Sequence, residues 1–434
     1  MIISDKIRAL AKQAEYDMAH IYADIDEIAR VNTEHVLDCF REARVAESYF
    51  AASTGYGYGD LGRDRIDELS AKIFRAEAGF MRPSLLSGTH TITVALFGIL
   101  RPGDIMLSVT GTPYDTLLDV IGIGTAPAGE GSLIDFGIEF RKIELTKDKT
   151  APVDIKSMRE ALKTHREKIK MVYLQRSKGY ADRPTLTVSQ IRAAATAVHE
   201  ISAELGIRTP YVVVDNCYGE FCEITEPCFA TREGEYGADL IIGSLIKNPG
   251  GGMADVGGYI AGSAEAVRLC GNRLTSPGVG LEVGASLGQN RNLIRGLFYA
   301  PHTVAQALKT AHLAAYVFDA MGYPTEPHWS EERHDIIQSV KCGSPEVLIA
   351  FCRGIQWGSP VDAYVTCEPW AMPGYGDPVI MAAGTFTQGA SLELSADGPI
   401  RPPYIAYFQG GLTYESGKVG VLSAARAVLA LSEK

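Results

Sequence analysis

Along most of the chain, apolar positions at helical spacing alternate with short uninterrupted apolar runs. Near the start, Ile7, Leu10, Ala14 and Met18 share one helical face, and the first 50 residues read as helical. A glycine and tyrosine loop, STGYGYGDLGRD (53–64), separates this arm from a helix with Ile66, Leu69 and Ile73 on one side. The stretch HTITVALFGIL follows a turn and stops at RPGD, which predicts a further helix. Buried strands are predicted at DIMLSV (104–109), MVYL (171–174), YVVV (211–214) and DLII (239–242). Between the second and third of these, Thr187 or Ser189 caps a helix whose apolar face is Val188, Ile191, Ala195, Val198 and Ile201, and Gly206 ends it. Apolar strands separated by helices imply a parallel sheet covered on both faces. After about residue 300 the rhythm changes to a long helix (301–321), a turn-rich junction YPTEPHW, and a smaller α/β unit. The predicted division is a helical arm (1–55), a large domain (56–300), and a linking helix with a small C-terminal domain (301–434).

Composition narrows the function. The 434 residues are 46% hydrophobic and 21% charged, with a net charge of −11. An acidic chain lacks the basic face that nucleic acid requires, although a local pocket for one phosphate is compatible with it. No apolar run approaches the ~20 residues of a membrane span, and the charged helical start is unlike a secretory signal. A cytoplasmic protein with no membrane partner is expected. The eight cysteines form no C-x-x-C pair, and Cys217, Cys222 and Cys228 match no usual zinc spacing, so reduced thiols and no metal site are expected.

In a parallel α/β sheet, ligands sit at the carboxyl ends of the strands. Three candidates fall there. Ser87, Gly88 and Thr89 in SLLSGTH (84–90) open a helix, and free N–H groups at a helix start suit a phosphate; the same residues also suit an ordinary helix cap. Asp215 directly follows YVVV, where a carboxylate can meet a cation, a ribose hydroxyl or a protonated ring nitrogen, or simply close a turn. Lys247 lies in GSLIKNPGGG, among apolar residues and glycines. Apolar surroundings disfavour the charged amine and predict a lowered pKa, which would make it a nucleophile; a lysine that snorkels to solvent is the alternative. Tyr114, in VTGTPYDTLLD (109–119), can stack on a flat ring or pack as a turn tyrosine. Phosphate cup, acid and amine together are what pyridoxal 5′-phosphate needs: donors for its phosphate, a partner for its ring nitrogen and a lysine for its aldehyde.

Taken together, FRAEAGFMRPSLLSGTHTI, TGTPYDTL, QRSKGYADRPTL, VVVDNCYGEF and GSLIKNPGGGMADVGGYIAG resemble the fold-type I pyridoxal-phosphate enzymes. Within the Cys/Met-metabolism group, the chain looks most like the methionine γ-lyase or aluminium-resistance branch, over about residues 50–420. The resemblance implies an aspartate aminotransferase-like α/β fold with a large, mostly parallel sheet and a smaller C-terminal domain. It implies that Lys247 carries the cofactor covalently and later moves protons, that Asp215 pairs with the ring nitrogen, followed by Asn216, and that Tyr114 stacks and assists proton transfer. Gly88, Thr89, Ser87 and Ser244 would hold the phosphate. The family's Tyr-x-Arg element, which reaches a neighbouring subunit's phosphate, is altered: Tyr58 stands where arginine is expected, and Arg63 or Tyr56 are the substitutes at hand. Ile246 replaces the threonine usual before the lysine. Arg401 resembles a small-domain arginine that clamps a substrate carboxylate, or is a surface arginine beside two prolines; Arg176 and Arg183 are further candidates near the ring or substrate. The implied activity is a carbon–sulfur lyase on cystathionine, methionine or cysteine, by β- or γ-elimination, in a homo-oligomer (dimer or homotetramer) whose sites are shared between subunits. The same residues also serve γ-replacement, racemisation, retro-aldol cleavage, or a non-catalytic regulatory role.

Overall fold

The computed structural model describes residues 3–228 and 234–432. Seven strands form the larger sheet: β1 (Ala78–Arg82), β2 (Ile105–Ser108), β3 (Glu139–Lys142), β4 (Ile169–Gln175), β5 (Tyr211–Asp215), β6 (Leu240–Ser244) and β7 (Gly258–Gly262). Their spatial order is β1-β7-β6-β5-β4-β2-β3. The run from β6 to β3 is parallel, and β7 is antiparallel to both β1 and β6. The parallel sheet predicted from the apolar runs is therefore present, with an antiparallel strand that the helix-strand rhythm did not reveal.

Two-fold alternation along the central strands explains why they read as continuous apolar runs. Val172, Leu174, Val212, Val214 and Ile241 enter one core. Met171, Tyr173, Val213, Leu240 and Ile242 enter another on the opposite face. Successive strand residues point to opposite sides, and helices cover both. The helix Val188–Leu205 lies on the first face; its cap is Thr187, not Ser189, with a reciprocal bond from Gln190, and Gly206 ends it in a left-handed conformation.

A second sheet is wholly antiparallel, in the order β10-β11-β12-β9-β8. Its strands are β8 (Thr325–Glu326), β9 (Ile337–Lys341), β10 (Val379–Ala382), β11 (Ser395–Pro399) and β12 (Ile405–Gln409). The helices Pro345–Trp357 and Tyr414–Ser432 cover it. The N-terminal arm divides between the two cores. Ile7, Ala11, Ala14 and Met18 join the small-sheet core, whereas Ile25, Val36 and Cys39 join the large one.

The helix expected at 301–321 begins earlier, at Asn290, and runs to Ala320 with Pro301 inside it. Proline usually marks a helix start because it lacks the N–H of an interior turn. Here burial prevails: Leu293, Leu297, Val304 and Leu308 pack into the large core, and Leu313, Val317 and Phe318 into the small one. The helix is one strut through both cores, crossing the position where the sequence pattern changes.

Candidate active site

Strands β1, β2, β4, β5 and β6 run in one direction, so their carboxyl ends share an edge. Between β2 and β4 the chain changes the side on which it adds strands, the position where open α/β sheets leave a crevice. A cavity of about 250 Å³ opens there. Its wall includes Ser87, Gly88, Thr89, Tyr114, Asp215, Ser244 and Lys247. The structure thus gathers the phosphate-cup turn, the strand-end acid and the lysine around one space.

Each arrives on a separate element. The helix Gly88–Ile99 starts at the cavity, with Ser87 as its cap accepting from the His90 N–H at 3.1 Å. A Cβ added at Gly88 would lie 3.5 Å from Ser244 Cβ and 3.6 Å from Cys217 Sγ, so the helix start and the ends of β5 and β6 enclose a narrow cup. The Ser244 hydroxyl is buried and has no hydrogen-bond partner in the protein. Buried polar groups are normally satisfied, so an orphan aimed into this cup signals an anionic ligand. Tyr114 begins the helix after β2; its N–H donates to Gln175 Oε1 at 2.9 Å and its hydroxyl to Thr89 Oγ1 at 3.0 Å. Burial raises its pKa and keeps the phenol protonated, a donor rather than a base.

Asp215 ends β5, with 3% of its surface exposed, and accepts from the Cys217 N–H at 3.2 Å. Desolvation raises its pKa, against the attraction of Lys247 and the Cys217 bond. The carboxylate thus lacks a strong partner of its own. Lys247 Nζ lies 3.8 Å from the centre of the Tyr218 ring. The expected lowering of its pKa is not what the surroundings produce. Burial pushes the amine down, but Cys217, Tyr218 and Asp215 outweigh burial and hold it above the usual lysine value. Neighbours in the apolar sequence window do not reveal these three groups, which come from another strand end.

The turn after Lys247 is tight: a Cβ at Gly250 would meet the Leu245 carbonyl oxygen at 1.7 Å. Tyr218 is held with a positive φ of 74°, a conformation that non-glycine residues seldom adopt unless surrounding structure imposes it. Asn248 Nδ2 supplies part of that constraint by donating to the Tyr218 and Glu220 carbonyls, both at 2.9 Å. Asn216 supplies more, from behind the cavity. Its side chain accepts from Arg176 at 2.8 Å and donates to Glu226 at 3.0 Å and Tyr259 at 3.2 Å. It does not line the cavity, because it follows Asp215 and faces the other side of the sheet.

Arg176 is fully buried in that rear network, paired with Glu223 at 2.8 Å. Arg183 donates to the Gln175 carbonyl at 2.9 Å, and burial brings its pKa down to about 10. Neither arginine reaches the cavity wall. Arg63 is also committed elsewhere. It is buried, donates to the Gly57 and Gly284 carbonyls at 2.7 and 3.3 Å and pairs with Asp64, so it staples its own glycine loop. Tyr56 and Tyr58 project from that loop, 77% and 69% exposed. Arg401 is half-exposed and bonds Asp377 at 2.9 Å. It stands near the mouth, where its charge acts on Asp115 and Tyr407, both wall residues.

Several wall residues had no signal of their own in the sequence. Gln175 ends β4 and Tyr180 follows it in the QRSKGY segment, Tyr375 comes from a loop, and Asp397 and Tyr407 come from the small sheet. The strand-end position of Gln175 was a usable clue; the others depend on how the two sheets meet. Among the described residues no cluster of side chains suits a metal ion, and all eight cysteines are free thiols. No helix among the described residues is long and apolar enough to cross a membrane.

The methionine γ-lyase family matches residues 7–429 of this chain. The uncharacterized protein YnbB of Bacillus subtilis is 48% identical over 423 residues, covering 98% of this chain and 96% of YnbB. Among solved structures, a carbon-sulfur lyase involved in aluminum resistance from Clostridium novyi has a TM-score of 0.89 at 44% identity, covering 98% of this chain and 96% of that one. A Clostridium acetobutylicum protein, provisionally named a cystathionine beta-lyase involved in aluminum resistance, has a TM-score of 0.91 at 44% identity, with 98% and 96% covered. Fold-level likeness extends to the pyridoxal-5′-phosphate dependent protein YhfS of Escherichia coli, at a TM-score of 0.60 and 14% identity over 94% of this chain and 97% of that one. The architecture is that of the fold-type I pyridoxal-phosphate enzymes, and the chain belongs to the methionine γ-lyase family.

Proposed function

We propose that this chain is a pyridoxal 5′-phosphate-dependent carbon–sulfur lyase acting on a sulfur amino acid: cystathionine, methionine or cysteine, by β- or γ-elimination. The observation that carries the reading is the Lys247 amine sharing one cavity with Asp215 and with the unpartnered Ser244 hydroxyl beside the start of the Gly88–Ile99 helix. These groups fit the cofactor. The orphan hydroxyl and the N–H groups of Gly88 and Thr89 would hold its phosphate, with Ser87 in the same turn. Asp215, short of a strong partner, would keep its ring nitrogen protonated. Tyr114 would lie against its ring, and Lys247 would hold it covalently. When bound, the cofactor supplies an electron sink that stabilises negative charge at the substrate Cα.

The chain's own groups do the remaining work. Among the described residues Lys247 Nζ is the one amine on the cavity wall, and it would take and return the Cα proton. The Tyr114 hydroxyl, held protonated by burial, would donate toward the departing sulfur. Arg401, at the mouth, would exchange Asp377 for the substrate carboxylate. Enclosure by Tyr180, Tyr375 and Tyr407 limits water at the reacting carbon. Support for sulfur chemistry comes from the family match and from the names its relatives carry. The exposed pair Tyr56 and Tyr58 is the part of the altered Tyr-x-Arg element free to meet a second subunit, which favours a homo-oligomer. A cytoplasmic location accords with these features.

The test has two stages. Protein purified with the cofactor should absorb visible light, and borohydride should fix the cofactor to the peptide bearing Lys247, as read by mass spectrometry; Lys247→Ala should lose that adduct and turnover. An amino-acid panel should then yield thiol, ammonia and keto acid together. Cofactor retention with no thiol from any sulfur amino acid would refute the lyase assignment and leave racemisation, retro-aldol cleavage, γ-replacement without thiol release, or a regulatory role.

A further inference from the structure

The charged side chains on the cavity wall are Asp115, Asp215, Asp397 and Lys247. In the proposed reading, Asp215 is committed to the cofactor ring and Lys247 to the cofactor itself. That leaves two carboxylates, Asp115 and Asp397, in the part of the cavity open to substrate, and no arginine or second lysine on the described wall.

Asp397 is the better placed. It lies at the middle of β11, directly opposite Tyr407 of β12 in antiparallel register. Opposed residues on neighbouring strands present their side chains on the same face, and here both line the cavity. Asp397 Oδ1 is buried without a hydrogen-bond partner. Three rings enclose the same region: Tyr180 lies 5.0 Å from Tyr407 and 5.9 Å from Tyr375, centre to centre. All three line the wall. Aromatic faces attract a cation, and a buried carboxylate with an open oxygen lacks one. Burial also holds the Asp397 carboxyl up at about 7, against the Tyr180 hydroxyl and Lys247, the state of an acid whose counter-charge is incomplete.

We propose that Asp397, with the rings of Tyr180, Tyr375 and Tyr407, forms a subsite for a distal ammonium group, so that this chain selects amino acids whose side chain ends in a positive charge. Resting on the lyase reading, the preferred substrate class is a thioether amino acid whose leaving thiol carries an amine. Simple S-alkyl cysteines and methionine leave the Asp397 oxygen unmet and bind less well.

The experiment separates this subsite from the lyase assignment. L-Lysine and L-2-aminoheptanoate are close in shape, differ at the terminal ammonium and hold no sulfur to eliminate. Their dissociation constants are measured by calorimetry on the cofactor-loaded protein. L-Lysine should bind at least about tenfold tighter. Asp397→Asn should bring the two ligands to within about threefold, and Asp397→Glu should keep the preference. Equal binding, or tighter binding of the neutral ligand, in the unmodified protein overturns the proposal without need of a variant. So does a lysine preference that survives Asp397→Asn. In parallel, thiol release is followed from S-(2-aminoethyl)-L-cysteine. A lysine preference that is lost in Asp397→Asn, with no thiol released from this compound or from any sulfur amino acid of the panel, upholds the subsite and refutes the lyase; thiol release with equal binding does the reverse.

Discussion

Ser244→Ala separates a ligand-binding hydroxyl from a structural one, because the two roles predict opposite signs. Among the described residues, no protein group bonds the buried Ser244 hydroxyl. A buried hydroxyl without a partner costs roughly 1–3 kcal/mol. Alanine removes that penalty along with the small packing contribution of one oxygen atom. The cofactor-free variant should therefore be as stable as the parent, or more stable by up to about 1 kcal/mol. With phosphate in the cup, the hydroxyl would donate to an anion, a bond worth roughly 1.5–3 kcal/mol. Its loss should weaken cofactor binding by roughly ten- to a hundredfold. Urea unfolding of the cofactor-free proteins gives the first quantity, and visible absorbance during cofactor titration gives the second. A variant that is clearly less stable without cofactor, yet binds cofactor as the parent does, would show that Ser244 only packs β6, and the cup assigned to it would be wrong.

Two further outcomes test the rear of the site. Arg176→Met should destabilise the protein by about 3–5 kcal/mol in urea unfolding, because Glu223 and Glu226 are left buried without their guanidinium; a change under about 1 kcal/mol would contradict the assigned pairing. Glu220 is pushed up to about 8 by burial, more than its bond from Tyr259 offsets. The folded state then binds the extra proton, so this group's contribution is complete below the ordinary carboxylate range and falls as pH rises toward about 8. Glu220→Gln should flatten the loss of stability between pH 5 and 8, and a profile parallel to the parent's would refute the shift.

Much of the large sheet was legible because it is built from local pattern. The runs at MVYL, YVVV and DLII are dominated by apolar residues, since both faces are covered, and apart from Asp239 their residues lie within strands. Of the two caps read, Thr187 is the one that starts its helix, and Gly206 ends it. The start of the long helix was misplaced because Pro301 locally marks a helix start, which the burial of the helix in two cores overrides. Strand β7 was unreadable for another reason: GYIAG is short and glycine-rich, and only its partners make it a strand.

The site was partly legible through strand ends. Asp215, Lys247, Ser87, Gly88 and Tyr114 each stand where a parallel sheet leaves backbone and side chains free, and the fold brings them to one cavity. What no window of sequence contained was direction and company. Arg63 turns to the carbonyls around its own glycine loop, and Asn216 to Arg176 and Glu226 behind the site. Lys247 has apolar neighbours in sequence, yet a thiol, a phenol ring and an acid in space.

The sequence by itself determined which segments are buried, where strands stop, and that an amine, an acid and a glycine turn stand at those stops, because burial and backbone geometry leave a periodic record in the chain. Only the tertiary structure decided that Lys247 lies against the Tyr218 ring with Cys217 and Asp215 on the same wall, and that Asp397 enters the cavity beside Tyr407. Those depend on the pairing of β5 with β6 and of β11 with β12 and on the docking of one sheet against the other, contacts between residues far apart along the chain that leave no local periodicity to read.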